Sequence, residues 1–224
     1  MTERNDARRP GHSARILVFA ATEGYRHTSI PAAVAALARL GARHGFEVHA
    51  TEDPAYHGDD LDGFDAVVWV SVTGTVLDEA QRASLQRYVE NGGGFVGIHG
   101  ASAAEPDWPF FETLIGSRFA SHPAPCVGTV LPTAVPDPST AAFAPAWTHL
   151  DEWYRFERPL DEDVEVLAVL AEGEVHHPLV WRRRIGAGQS WYTALGHFED
   201  TYSDPRFEAH LLGGLQSASG GTLS

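Results

Sequence analysis

At 224 residues the chain is long enough to enclose one sizeable core, and a single domain is the expected count. Its 43% hydrophobic and 21% charged residues are those of an ordinary globular protein. A formal net charge of −14 argues against nucleic acid or an anionic membrane surface as partner, because phosphates would be repelled on average.

All 16 basic residues are Arg, which closes the Schiff-base branch of covalent catalysis. The lone cysteine, Cys126, excludes an internal disulfide framework and suits a reducing compartment. No apolar run approaches the roughly 20 residues of a membrane helix. The opening MTERNDARRPGHSA lacks the apolar stretch of a secretory signal. Residues 1–13 are therefore expected to form a flexible tail, residues 14–218 a single domain, and the location to be cytoplasmic.

RILVFAA (15–21) reads as a buried strand. A helix follows, with Thr28 or Ser29 as cap, Pro31 in its first turn and apolar residues recurring through Val34, Leu37 and Leu40 until Gly41 and Gly45. FEVHAT (46–51) and FDAVVWVSV (64–72) are strands, the second apolar almost throughout, as a strand covered on both faces should be. Asp78 and Glu79 open a second helix, where its dipole favours acids, and Asn91-Gly92 closes it. FVGI (95–98) is the fourth strand. This alternation predicts a doubly wound, mostly parallel α/β sheet with its site at the carboxyl ends of the strands.

The second half differs in character. Pro and Ala dominate residues 121–147, although APCVGTV begins a strand. DEWYRF (151–156), VEVLAVL (164–170), PLVWRRR (178–184) and QSWYTAL (189–195) read as further strands, and residues 203–216 as a last helix. These are expected as antiparallel strands added to one α/β domain. The Arg182-Arg183-Arg184 run is too short to signal a polyanion site.

Gly92, Gly94 and Gly97 satisfy G-x-G-x-x-G, but they precede or lie within a strand rather than following one, so they mark a turn and not a dinucleotide site. The histidines carry more chemistry. Of the 12 present, His27, His99, His122, His177 and His197 fall at strand ends or in the loops after them, where a parallel sheet gathers its functional groups. His99 and His197 stand out because each terminates an apolar strand abruptly. His44, His49 and His57 read as surface or strand-face residues. Glu105, six residues beyond His99, the Asp151-Glu152 pair that opens DEWY, and Glu199, two beyond His197, are carboxylates that could orient an imidazole and fix its tautomer. Tyr25, Trp108, Trp153, Tyr154, Trp181 and Tyr192 lie near the same positions. Aromatic faces beside carboxylates suit a polyhydroxylated ligand.

ILVFAATEGYRHTSIP, GGGFVGIHGAS, FASHP, LDEWYRF and ALGHFEDTYSDP together resemble the ThuA-like (trehalose utilisation) family over residues 15 to about 216. The resemblance implies a flavodoxin-like fold similar to class I glutamine amidotransferases. Those enzymes carry a nucleophilic Cys at a strand-end elbow and a His-x-Glu pair. Here His99 stands at the elbow and His197-Phe198-Glu199 keeps the pair, so glutaminase chemistry lacks its nucleophile. Where the family tends to have a histidine before a Pro-Ser-Thr turn, this chain reads VPDPST. The family's association implies a carbohydrate substrate, a trehalose-related disaccharide oxidised to a keto-sugar by a partner dehydrogenase.

The expected function is acid–base catalysis on that keto-sugar. His99 and His197 are the candidate proton-transfer pair, with Glu152 or Glu105 positioning a hydroxyl or a histidine. His27 and His122 would hold the carbonyl oxygen, and Tyr25, Trp108, Trp153 and His177 would line the substrate site. A variant adds a divalent metal such as Zn²⁺ on His27, His99, His122 and His197. The alternative is a non-catalytic sugar-binding or regulatory protein on an amidotransferase-like scaffold. Oligomeric state stays open, a homo-oligomer included.

Overall fold

The computed structural model describes residues 13–58, 61–221 and 223, so the expected tail, apart from Ser13, lies outside the described residues. Five strands form the parallel half of one sheet: β1 (Arg15–Phe19), β2 (Glu47–Thr51), β3 (Ala66–Val70), β4 (Gly94–Ile98) and β11 (Gly188–Thr193). Four more extend it in antiparallel fashion: β6 (Cys126–Pro132), β7 (Trp147–Asp151), β9 (Glu165–Glu172) and β10 (Val175–Ile185). The order across the sheet is β2-β1-β3-β4-β11-β10-β9-β6-β7. A separate pair joins β5 (Phe119–Ser121) to β8 (Arg155–Phe156).

The helices are α1 (Ile30–His44), α2 (Glu79–Glu90), α3 (Pro109–Ile115) and α4 (Pro205–Ala218). Asp78 caps α2 through a complete capping box with Gln81. Ser29 sits at the N-cap of α1 but makes no side-chain cap bond; its hydroxyl donates instead to Gly196 O, 3.1 Å away. Glycines in β4 let the helices approach closely. A Cβ on Gly94 would stand 2.7 Å from Ala218 O of α4, and one on Gly97 would stand 2.6 Å from Ile115 of α3. Trp69 of β3, Phe95 of β4 and Phe111 of α3 fill the layer beneath α3, with the Trp69 and Phe111 rings stacked at 4.8 Å. Each such fully buried aromatic contributes on the order of 1.5–3 kcal/mol.

Two expectations change. DEWYRF is not one strand: β7 ends at Asp151 and β8 begins only at Arg155, leaving Glu152–Tyr154 as a buried connection. His57, expected at the surface or on a strand face, is instead fully buried in a short helical turn, where it accepts a hydrogen bond from Trp69 Nε1 at 3.1 Å.

The antiparallel half positions the site. β7 runs in the same sense as β11 but lies four strands away, about 19 Å in a flat sheet. Yet the Asp151 carboxylate accepts hydrogen bonds from Gly196 N at 2.9 Å and His197 N at 3.1 Å, just past β11. The antiparallel half must therefore curl. A register shift around Val180, where β10 meets β9, supplies a bulge of the kind that bends a sheet.

Candidate functional site

Four strand ends converge at one edge. His27 follows β1, His99 follows β4, Glu152 follows β7 and His197 follows β11. One ligating atom from each of these four residues lies within 4.8 Å of the others. His99 Nε2 is 3.2 Å from His197 Nδ1 and 3.6 Å from Glu152 Oε2, and His197 Nδ1 is 3.2 Å from that same oxygen. The His27 ring stands edge-on to both other imidazoles, with centroids 4.7 Å from His99 and 5.5 Å from His197.

His99 has φ of +49°, a strained conformation for a residue with a Cβ, and Ser71 at the end of the neighbouring β3 has φ of +47°. The turn is held because Tyr192 donates its hydroxyl to His99 O at 2.9 Å. The ring is 0% exposed. Its Nδ1 lies 2.7 Å from Ala194 O, which can only accept, so Nδ1 carries the hydrogen and Nε2 turns its lone pair into the cluster. Tyr154 OH donates to that lone pair from 3.0 Å. Burial raises the Tyr154 phenol above its ordinary value and keeps it a donor.

The loop carrying His197 is tied at Gly196 and His197 N. Asp151 takes both amides and, at 2.8 Å, that of Glu152; Ser29 and Tyr202 both donate to Gly196 O. Glu152 also reaches outward, with Oε1 3.1 Å from His122 Nδ1. His122 Nδ1 is 2.9 Å from Pro123 O as well, so this nitrogen too is the donor and Nε2 keeps its lone pair.

Burial, then the neighbouring His99 and His197, lower the His27 pKa to about 3. Burial and His99 likewise hold His197 below the ordinary histidine value. For Glu152, burial acts to raise the pKa, but the neighbouring His99, His197 and His122 outweigh it and hold the carboxylate below its usual range. Near neutral pH the site thus presents neutral His27 and His197 rings around one carboxylate.

The other expected residues are divided. His122 joins the cluster through Glu152, and Tyr25 lies edge-on to His27 at 4.8 Å on the exposed rim. Glu105 does not join it. Its Oε1 accepts from Val76 N and Leu77 N, and its Oε2 pairs with Arg82 at 2.6 Å, so its lone pairs hold a turn together. Trp108 packs on Phe111, and Trp153 is buried with its Nε1 donating to Cys126 O. Both belong to the core. His177 pairs with Glu172 at 3.2 Å and lines a cleft of about 280 Å³ that shares Tyr154 with the cluster. Glu199 is exposed, and Asp151, not Glu199, anchors His197. Arg182 and Arg183 are engaged by Asp137, Glu165, Asp161 and Asp163.

Asp151 and Tyr154, noted in the sequence only as a carboxylate and an aromatic near the candidate positions, prove to build the site, one by holding three backbone amides and the other by donating to His99. The DEWY string offered both, but only a break in the strand could have singled them out.

Against known families, residues 15–218 match the one described as ThuA, trehalose utilisation. The chain belongs to the ThuA family. A protein from Bacteroides uniformis described as ThuA-like superposes with a TM-score of 0.78 at 20% identity, covering 95% of this chain and 94% of its own. Another from Parabacteroides merdae gives 0.80 at 19%, covering 95% and 92%. A Thermoplasma acidophilum protein described as a GMP synthase component gives 0.58 at 12%, covering 93% and 96%. At these identities the likeness is one of fold. No curated protein matched. Among the described residues of this ThuA chain, no helix is long and apolar enough to cross a membrane.

Proposed function

We propose that this ThuA protein is an enzyme that removes a proton beside the carbonyl of a keto-sugar, a disaccharide related to trehalose. One observation carries the reading: Glu152 joins an accessible imidazole, His122, to buried His99 and partly buried His197, with buried His27 beside them.

A general base needs a lone pair, a fixed orientation and access to substrate. His122 offers all three, since its Nδ1–H is held by Glu152 and Pro123 O and its side chain is about one-third exposed. His99 has the lone pair but no exposure, so it serves from the floor of the site. The carbonyl oxygen binds over the His27, His99 and His197 imidazoles. The carbanion formed beside it is stabilised as an enolate, which either takes the proton back from the base at a neighbouring atom or expels a glycosidic oxygen that the proton then neutralises. The sugar class rests on the family description and on Tyr25 at the rim.

A dehydrogenase that oxidises a sugar hydroxyl would supply the substrate, and both would work in the cytoplasm. The order β2-β1-β3-β4-β11 supports a flavodoxin-like ancestry shared with amidotransferases, now without the cysteine. Cys126 opens β6 and is exposed, away from the elbow that His99 occupies.

Proton NMR of a 3-keto-disaccharide in D₂O tests the proposal. The signal beside the carbonyl should exchange, or free sugar appear, and His122→Gln should slow either by about 100-fold. Line broadening without exchange or cleavage would instead make this a binding protein.

A further inference from the structure

We infer that His27, His99, His197 and Glu152 bind one divalent transition-metal ion, which holds the carbonyl oxygen. The inference rests on reading this cluster as the active site. It changes the expected donor set, placing Glu152 where the sequence suggested His122.

The argument is geometric. Ligand bonds of about 2.0–2.2 Å in a tetrahedron place donor atoms about 3.3–3.6 Å apart. His99 Nε2, His197 Nδ1 and Glu152 Oε2 form a triangle with sides of 3.2, 3.6 and 3.2 Å. Hydrogen bonding spans only one side of that triangle at a time, with Tyr154 serving His99 Nε2 from outside it. Because His99 Nδ1 gives its hydrogen to Ala194 O, Nε2 is an acceptor, as is the carboxylate oxygen 3.6 Å away. The one hydrogen available on His197 Nδ1 can serve either acceptor but not both. A cation satisfies all three at once.

His27 supplies the fourth donor. Its Nδ1 is buried without a hydrogen-bond partner among the described residues, and one of its ring nitrogens lies within 4.8 Å of the other three ligating atoms. The outer contacts are those a metal centre uses. A ligating imidazole commonly donates its second N–H to a backbone carbonyl, as His99 does to Ala194. The free oxygen of Glu152 is oriented by His122. Tyr154 OH, which donates to His99 Nε2, must redirect its hydrogen when the ion binds. Three imidazoles and one carboxylate select Zn²⁺, Co²⁺, Ni²⁺, Mn²⁺ or Fe²⁺ over Ca²⁺ and Mg²⁺, which demand oxygen ligands.

Untagged protein, stripped with chelator and dialysed, should be titrated with Co²⁺ alone. Visible d–d absorption should saturate at one equivalent per chain and be displaced by Zn²⁺. His197→Ala and Glu152→Ala should each weaken Co²⁺ binding by at least about 10-fold. His197 lies on a loop, so its variant is expected to fold, and circular dichroism verifies this. Substoichiometric binding by wild type, or saturation unchanged in both folded variants, would overturn the inference.

The two proposals fail separately. Keto-sugar exchange at full rate in chelator-stripped protein would remove the metal and leave the enzyme. Stoichiometric cobalt binding with an inert keto-sugar would keep the metal and remove the proposed reaction.

Discussion

Replacing Asp151 with Asn should loosen both sides of the site at once. The buried carboxylate accepts three backbone N–H groups, from Glu152 at 2.8 Å, Gly196 at 2.9 Å and His197 at 3.1 Å. Hydrogen bonds to a charged group are worth about 1.5–3 kcal/mol each, and neutral ones about 1 kcal/mol. An Asn side chain with its oxygen at the Oδ1 position keeps the Glu152 and His197 bonds in weaker, neutral form. Its NH₂ then faces Gly196 N–H, leaving a buried donor unsatisfied at a cost of about 1–3 kcal/mol. The opposite amide orientation strands two donors and is worse. The sum is about 3 kcal/mol, which for a chain of this size lowers the melting temperature by about 6–12 °C. Turnover should fall further than stability, because His197 and Glu152 both lose their anchor. Differential scanning calorimetry and the D₂O exchange assay read the two effects. A melting temperature within about 1 °C of wild type would refute this account of Asp151.

Three further outcomes follow from other residues. Glu105→Ala should cost about 3–5 kcal/mol, since it leaves Arg82 without its buried partner, while the exchange rate per folded molecule stays unchanged; a selective loss of rate would return Glu105 to the chemistry. A Cβ at Gly100 would stand 2.9 Å from His27 Cε1 and 3.2 Å from the Ser71 backbone. Gly100→Ala should thus displace His27, slowing exchange about 10-fold with little change in urea denaturation, and an unaltered rate would show that His27 is dispensable. Acid should destabilise the fold. Burial lowers the pKa of His57 and of His210 from 6.5 to about 4. Below pH 6.5 the unfolded chain takes up protons that the folded chain refuses until about pH 4, so stability declines as pH falls through that window. Each histidine accounts for about 2 kcal/mol between pH 7 and pH 5. His210→Gln should remove its share from the urea-denaturation midpoints, and an identical pH slope in that variant would contradict the assignment.

Patterns governed by near neighbours were legible in the chain. Alternating strands and helices, the acidic start of α2 at Asp78 and Glu79 and the abrupt end of an apolar strand at His99 depend on residues a few places apart. The break inside DEWYRF was not. Nothing local distinguishes Glu152–Tyr154 from a strand, and its conformation follows from the curl that brings β7 to β11. Glu105 and Glu152 look alike in sequence, each a candidate carboxylate among apolar and aromatic neighbours. One met Arg82 and two amides of a turn, the other three imidazoles. Trp108 and Trp153 read as ligand faces because aromatic residues suit both a sugar and a core, and packing consigned them to the core.

The sequence by itself thus determined the α/β class, the family and the strand ends at which histidines stand, because hydrophobic period and turn chemistry are short-range. Only the tertiary structure decided which of those groups meet. The bonds that make the site join residues 95, 98 and 55 positions apart, and such partners are chosen by how the whole sheet bends rather than by any stretch of chain.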